Sequence, residues 1–205
     1  MNFKDEIVNL ENEVSSNTYI TKIGTLPVLI TAVHTMEQTK EDGTLKYSEP
    51  FTKGIAKYIS EKLNTSYYIK LKDTGIDSNS ITKETFKINL IKYIKDNNIK
   101  LVIDLHGANK NRPFDVEFGT LNNISADFTT IKELEDAFIE NGVTNIEYNN
   151  PFKGGGITQY VFSNTDIDVI QIEINHNYRD INNIENIEKI CNALIDFIKM
   201  YVNFN

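Results

Sequence analysis

The chain alternates short, dense apolar runs with longer stretches in which apolar residues recur every three or four positions. Residues 26–33 (LPVLITAV), 67–71, 100–105 (KLVIDL) and 169–174 (VIQIEI) are of the first kind. Their length and β-branched content predict strands, three of them of the fully buried type. Residues 51–63 are of the second kind, with Ile55, Tyr58, Ile59 and Leu63 on one helical side, and 82–97 repeats the pattern with Phe86, Leu90, Tyr93 and Ile94. Residues 115–120 predict a further strand and 131–141 a helix closed by Gly142. A last helix, 183–202, carries Ile184, Ile187, Cys191, Leu194 and Ile198 on one stripe. Such alternation predicts an α/β fold, a mixed central β-sheet flanked by helices on both faces. No repeat, linker or compositional break interrupts it, so a single domain over 1–205 is expected.

In sheets of this kind, sites gather where strands end. The first buried run leads into His34-Thr-Met-Glu37, another into Asp104-Leu-His106-Gly107, and the last contains Glu173. A His and a Glu three apart can reach one ion from a turn, and a His at a neighbouring strand tip supplies a third donor. Two His and one Glu is a ligand set of catalytic zinc, with the fourth position left to water. We therefore expect zinc on His34, Glu37 and His106, with Asp104, of the same strand parity, orienting a ligand. Each His has an ordinary reading as a satisfied core or surface residue. Two of three histidines falling at strand ends beside acids favours metal.

Glu173 stands among Ile170, Ile172 and Ile174, where a carboxylate is costly unless paired or near a cation. A lysine salt bridge would suffice. The chemical reading is a general base acting on a metal-activated water. His176, three residues on, would face away from Glu173 on a strand and is expected in a loop. Between the second and third site strands lie Gly154-Gly155-Gly156 and Thr158. Backbone N–H groups at Gly155 and Gly156 can approach an anionic substrate closely, with the Thr158 hydroxyl beside them.

A net charge of −8 and a pI near 5.0 argue against a nucleic-acid partner. Only Arg112 and Arg179 can offer a guanidinium fork to a substrate carboxylate or an oxyanion. One cysteine, Cys191, excludes an internal disulfide. The first residues are acidic where a secretory signal would be apolar, and no apolar run approaches the ~20 residues that span a bilayer. A soluble, cytoplasmic protein without a membrane partner is the expectation.

Four segments together resemble the N-formylglutamate amidohydrolase family: His34-x-x-Glu37, Asp104-Leu-His106-Gly107, Asn150-Pro-Phe-x-Gly-Gly155-Gly156-Ile-Thr158, and Gln171-Ile-Glu173-Ile-Asn175 with Tyr178. They occur in family order from about Val28 to Tyr178. The resemblance implies a zinc-carboxypeptidase-like (phosphorylase/hydrolase-like) fold, shared with the aspartoacylase and succinylglutamate desuccinylase enzymes. It implies zinc on His34, Glu37 and His106, Glu173 as the catalytic carboxylate, and an N-acyl or N-formyl amino acid as substrate. Where the aspartoacylase-like enzymes have Asp-x-Asn-Arg, this chain has Asp77-Ser-Asn79-Ser80. Asn79 is kept as a substrate contact; Arg112 is either the replacement for the missing arginine, and an oxyanion donor, or a surface residue, and Arg179, close after Glu173, is the other candidate. A zinc peptidase acting on a peptide or cell-wall amide is the second reading. A catalytically silent binding protein on the same fold is the third.

Overall fold

The computed structural model describes residues 2–81 and 83–204. The chain opens with α1 (Phe3–Asn12), then β1 (Tyr19–Lys22), β2 (Val28–Ala32), a small hairpin of β3 (Gln38–Thr39) and β4 (Leu45–Lys46), α2 (Thr52–Leu63) and β5 (Ser66–Lys70). Next come α3 (Thr85–Asp96), β6 (Leu101–Ala108), β7 (Val116–Gly119), α4 (Phe128–Glu140), β8 (Ile146–Tyr148), α5 (Gly156–Asn164), β9 (Asp168–Asn175) and α6 (Ile184–Phe204). The helix expected over 82–97 runs Thr85–Asp96; Thr82, its expected first residue, lies outside the described residues.

Seven strands form one sheet in the order β1-β5-β2-β6-β9-β7-β8. β5, β2, β6 and β9 run parallel, whereas β1 and β7 are antiparallel to their inner neighbours. The sheet is therefore mixed and flanked by helices, as the alternation predicts. α1, β1, the β3–β4 hairpin, β8 and α5 are additions. The extra strands have two to four residues, too few for a pattern of alternation to show. α5 starts inside the glycine trio, which by composition reads as loop.

The two faces of the sheet differ in chemistry. One carries Val28, Ile30, Ala32, Leu101, Ile103, Leu105, Val116, Phe118, Ile170, Ile172 and Ile174, all buried in a core with α2, α4 and α6. That face is apolar from end to end, which burial against three helices requires. The other face starts apolar, with Leu29, Val102 and Val169 packed on Phe86, Leu90 and Ile94 of α3 and on Ile157 and Val161 of α5. Toward the carboxyl ends of the parallel strands it becomes polar. Thr31 is level with Asp104, Asp104 with Gln171, and His106 with Glu173. Glu117 of β7 completes that last row. α3 and α5 cover the apolar half, and a cavity of about 570 Å³ opens over the polar half.

Candidate metal centre

β2 ends at Ala32, and His34 follows two residues on, buried to 2% exposure. His106 lies within β6 at 1% exposure. Their Nδ1 atoms face each other at 3.1 Å. The third member is Glu49, in the turn between β4 and α2. Its Oε1 is 2.9 Å from His34 Nδ1 and its Oε2 3.3 Å from His106 Nδ1. One donor atom from each of these three residues lies within 4.8 Å of the others.

Glu37, the expected third ligand, is exposed and outside this group. The physical reason is local: after His34 the chain leaves the carboxyl end of β2 for the β3–β4 hairpin and carries Glu37 outward. The hairpin then returns Glu49 to the site, where the Glu49 N–H donates to the His34 carbonyl at 2.7 Å. Glu49 Oε2 also accepts from the Gly107 N–H at 2.9 Å, and Oε1 from Lys46 Nζ at 2.6 Å. Nothing in the local sequence marks Glu49 as a ligand; its role depends on how the hairpin closes.

Each imidazole is held from behind by a carboxylate. His34 Nε2 is 2.8 Å from Asp77 Oδ1, and His106 Nε2 is 3.0 Å from Asp104 Oδ2. Asp104 in turn accepts from the Thr31 hydroxyl at 2.6 Å. Burial opposes the charge on Asp77, but the hydrogen bond and charge of His34 outweigh it and lower its pKa to about 2. Carboxylates on both Nε2 atoms can hold Nε2–H and so leave both Nδ1 atoms, with the Glu49 carboxylate, directed at one spot for an ion to occupy. Burial also opposes charge on Glu49 and His106. Even so, the two imidazoles hold Glu49 well below the usual carboxylate range, and Asp104 and Glu49 hold His106 well above the usual imidazole range. A divalent cation would take the place of the ring protons that these contacts hold between the two imidazoles and Glu49, and the N₂O set suits zinc.

Glu173 is next to this group without belonging to it. It lines the cavity at 5% exposure, and Gln171 Nε2 donates to its Oε1 at 2.7 Å. Burial raises its pKa to about 7, with the His106 charge working the other way. Arg112 also lines the cavity, its guanidinium 4.9 Å from the Phe152 ring centroid. Lys40, Lys46 and Lys153 stand around the same opening.

The remaining expected substrate contacts divide. Asn79 and Gly155 line the cavity, whereas Gly156, Thr158 and Arg179 do not. The Gly155 N–H donates to Gln171 Oε1 at 2.5 Å and the Gly156 N–H to the Asn79 carbonyl at 2.8 Å, so both are engaged within the protein. Thr158 is fully buried, its hydroxyl without a hydrogen-bond partner among the described residues. Arg179 is 4% exposed and donates to the carbonyls of Ile174, Pro50 and Ala108. Its guanidinium fills the space beside Gly107, where a Cβ would meet Arg179 Cζ at 2.3 Å. His176 is exposed in a one-turn helix after β9, away from the metal group.

No family model and no curated protein matches this sequence. Solved structures do match in fold. The structure is similar to that of an N-formylglutamate amidohydrolase from Ralstonia eutropha, with a TM-score of 0.70 and 12% identity over 91% of this chain and 98% of that one. It is similar to a bacteriophage poly-gamma-glutamate hydrolase at a TM-score of 0.59 and 14% identity, covering 97% of both chains. A metallo-carboxypeptidase from Burkholderia cenocepacia gives 0.55 and 12%, with 89% of this chain on 61% of that one. The chain thus shares the α/β fold of that amidohydrolase and that metallo-carboxypeptidase, and His34, Glu49 and His106 form a candidate metal site at the carboxyl ends of its parallel strands.

Proposed function

We propose that the protein is a zinc-dependent amide hydrolase acting on an N-acyl or N-formyl amino acid. The observation that carries this reading is the pairing of a three-donor group, His34, Glu49 and His106, with a separate buried carboxylate, Glu173, in one cavity. When bound, a zinc ion there would polarise the scissile carbonyl and make water nucleophilic at neutral pH.

The chain's own residues do the rest. Glu173 takes the proton of the attacking water and passes it to the leaving nitrogen. A carboxylate with a pKa raised to about 7 is suited to both halves of that transfer. Gln171 donates to Oε1 of Glu173 and fixes its rotamer. Arg112 is the guanidinium left for the substrate, because Arg179 is committed to three backbone carbonyls. It binds the substrate carboxylate or steadies the oxyanion, with Phe152 flanking it. Asn79 and the Gly154–Gly155 backbone form the facing wall. A soluble, cytoplasmic setting is consistent with such a substrate, and among the described residues no helix is long and apolar enough to cross a membrane.

The test is to load the protein with zinc and follow amine release from a panel of N-formyl and N-acyl amino acids and short peptides. Turnover of the amino-acid derivatives supports the reading. Stoichiometric zinc with release only from peptides would make it a peptidase. Zinc binding without turnover of any panel member would overturn hydrolysis.

A further inference from the structure

Below the metal group lies a pair of lysines that the chemistry above does not use. Lys70, the last residue of β5, and Lys87 of α3 are both 0% exposed. A buried ammonium is expensive unless its protons are satisfied, so its partners indicate what it is for. Lys70 Nζ donates to the Ile76 carbonyl at 2.9 Å and to the Ser78 hydroxyl at 2.7 Å. Lys87 Nζ donates to the Ser80 carbonyl. The two ammonium groups thus grip residues 76, 78 and 80 of a segment with no regular structure. Burial lowers both lysines from their ordinary pKa, while Glu84 and Asp77 oppose that loss of charge.

Between the gripped residues are the two that reach the site. Asp77 bonds to His34 Nε2, and its Oδ1 also accepts from the Asn79 N–H at 2.9 Å. Asn79 accepts from the Gly156 and Ile157 N–H groups and so ties the segment to the start of α5. The approach is close: a Cβ on Gly156 would be 1.8 Å from the Ser80 carbonyl oxygen. Lys70 has a second hold on the same site, since its own carbonyl accepts from the Thr35 hydroxyl, one residue after His34. One residue therefore fixes His34 from its own strand end and from the loop that carries its carboxylate partner.

We infer that Lys70, supported by Lys87, is a positioning residue: by clamping the 76–80 segment it sets Asp77 against His34 Nε2 and keeps His34 Nδ1 aimed at the metal group. This rests on the metal reading above, and its consequence is metal affinity rather than substrate contact. Partners that orient a ligand typically change affinity by about 10–100-fold when removed.

The experiment compares wild type, Lys70→Met, Asp77→Asn and the double variant by zinc competition with a chromogenic chelator, and by thermal melting without metal. Ser78→Ala, which removes one acceptor of Lys70 and spares the charge, decides the matter should Lys70→Met fail to fold. The His34 Nε2 signal is followed in the metal-free proteins by nitrogen-detected NMR. The expected result is a loss of zinc affinity of about 10–100-fold in Lys70→Met. A smaller loss is expected in Ser78→Ala, and the double variant should be no worse than Asp77→Asn. The His34 Nε2 signal, set in wild type by its contact with Asp77, should shift in Lys70→Met. Unchanged zinc affinity with only a lower melting temperature would overturn the inference, as would losses that multiply in the double variant. Absence of zinc binding in wild type would instead count against the metal reading, and the Nε2 comparison would still judge Lys70 alone.

Discussion

The Glu49 N–H donates to the His34 carbonyl at 2.7 Å, so two residues fifteen positions apart are joined main chain to main chain at the place where their side chains converge. The hairpin between them is in effect a loop closed by that bond. Glu49→Gln keeps the shape but replaces an anionic donor by a neutral amide. Because removing a residue that merely orients a ligand costs about 10–100-fold in affinity, loss of this ligand should cost at least about 100-fold. Glu37→Gln should leave affinity unchanged. Elemental analysis after dialysis, with the two variants side by side, separates the assignments; metal lost from Glu37→Gln and kept by Glu49→Gln would reverse them.

Glu173→Gln should retain zinc and lose turnover by about 10²–10⁴-fold, the usual weight of a general acid–base group. The side chain faces the cavity next to the metal group, and is not a member of it. Metal content and kcat measured on the same sample make the check, and a variant that loses both would place Glu173 among the ligands.

The two arginines should behave differently. Arg112→Ala removes a cavity-lining group and should raise KM or lower kcat with the melting temperature nearly unchanged. Arg179→Ala leaves the carbonyls of Ile174, Pro50 and Ala108 without their donor. A buried group left unsatisfied costs about 1–3 kcal/mol, so the urea midpoint should fall sharply. Equal stability losses in the two variants would contradict this division of roles.

Cys191 is fully buried in α6, and burial pushes its thiol far above the ordinary range. As the sole cysteine, it should react with Ellman's reagent only through unfolding, at a rate independent of reagent concentration once reagent is in excess. A rate that keeps rising with reagent would show direct access in the folded state.

Much of this architecture was legible because the core strands are buried on both faces and read as continuous apolar runs. β2, β6 and β9, and the helices α2, α3, α4 and α6, lie where the patterns put them, within a few residues at each end. His34, His106 and Glu173 were legible as polar residues at the ends of such runs. Glu49 was not, because it belongs to a turn whose position depends on a hairpin with two-residue strands. In the sequence Asp77 stands out only as part of a motif lacking its arginine, since the reach of its carboxylate to His34 is set by tertiary structure. By composition the glycine trio is a loop or an anion cradle, whereas the Gly155 and Gly156 N–H groups donate to Gln171 and Asn79. Charge and a place close after Glu173 make Arg179 a candidate substrate contact, and neither reveals that its guanidinium is walled in beside Gly107.

The change from apolar to polar along one face of the sheet also guards the strand register. His106 is level with Glu173, and Asp104 with Gln171, through side chains that alternate with Leu105 and Ile172. A slip of β6 by one residue would turn Asp104 and His106 into the greasy layer under α2 and α6 and bring Leu105 to the cavity floor. Burying unpaired charge there is far costlier than losing a few apolar contacts. The residues that would do the chemistry are therefore also the ones that make wrong pairings of the sheet expensive.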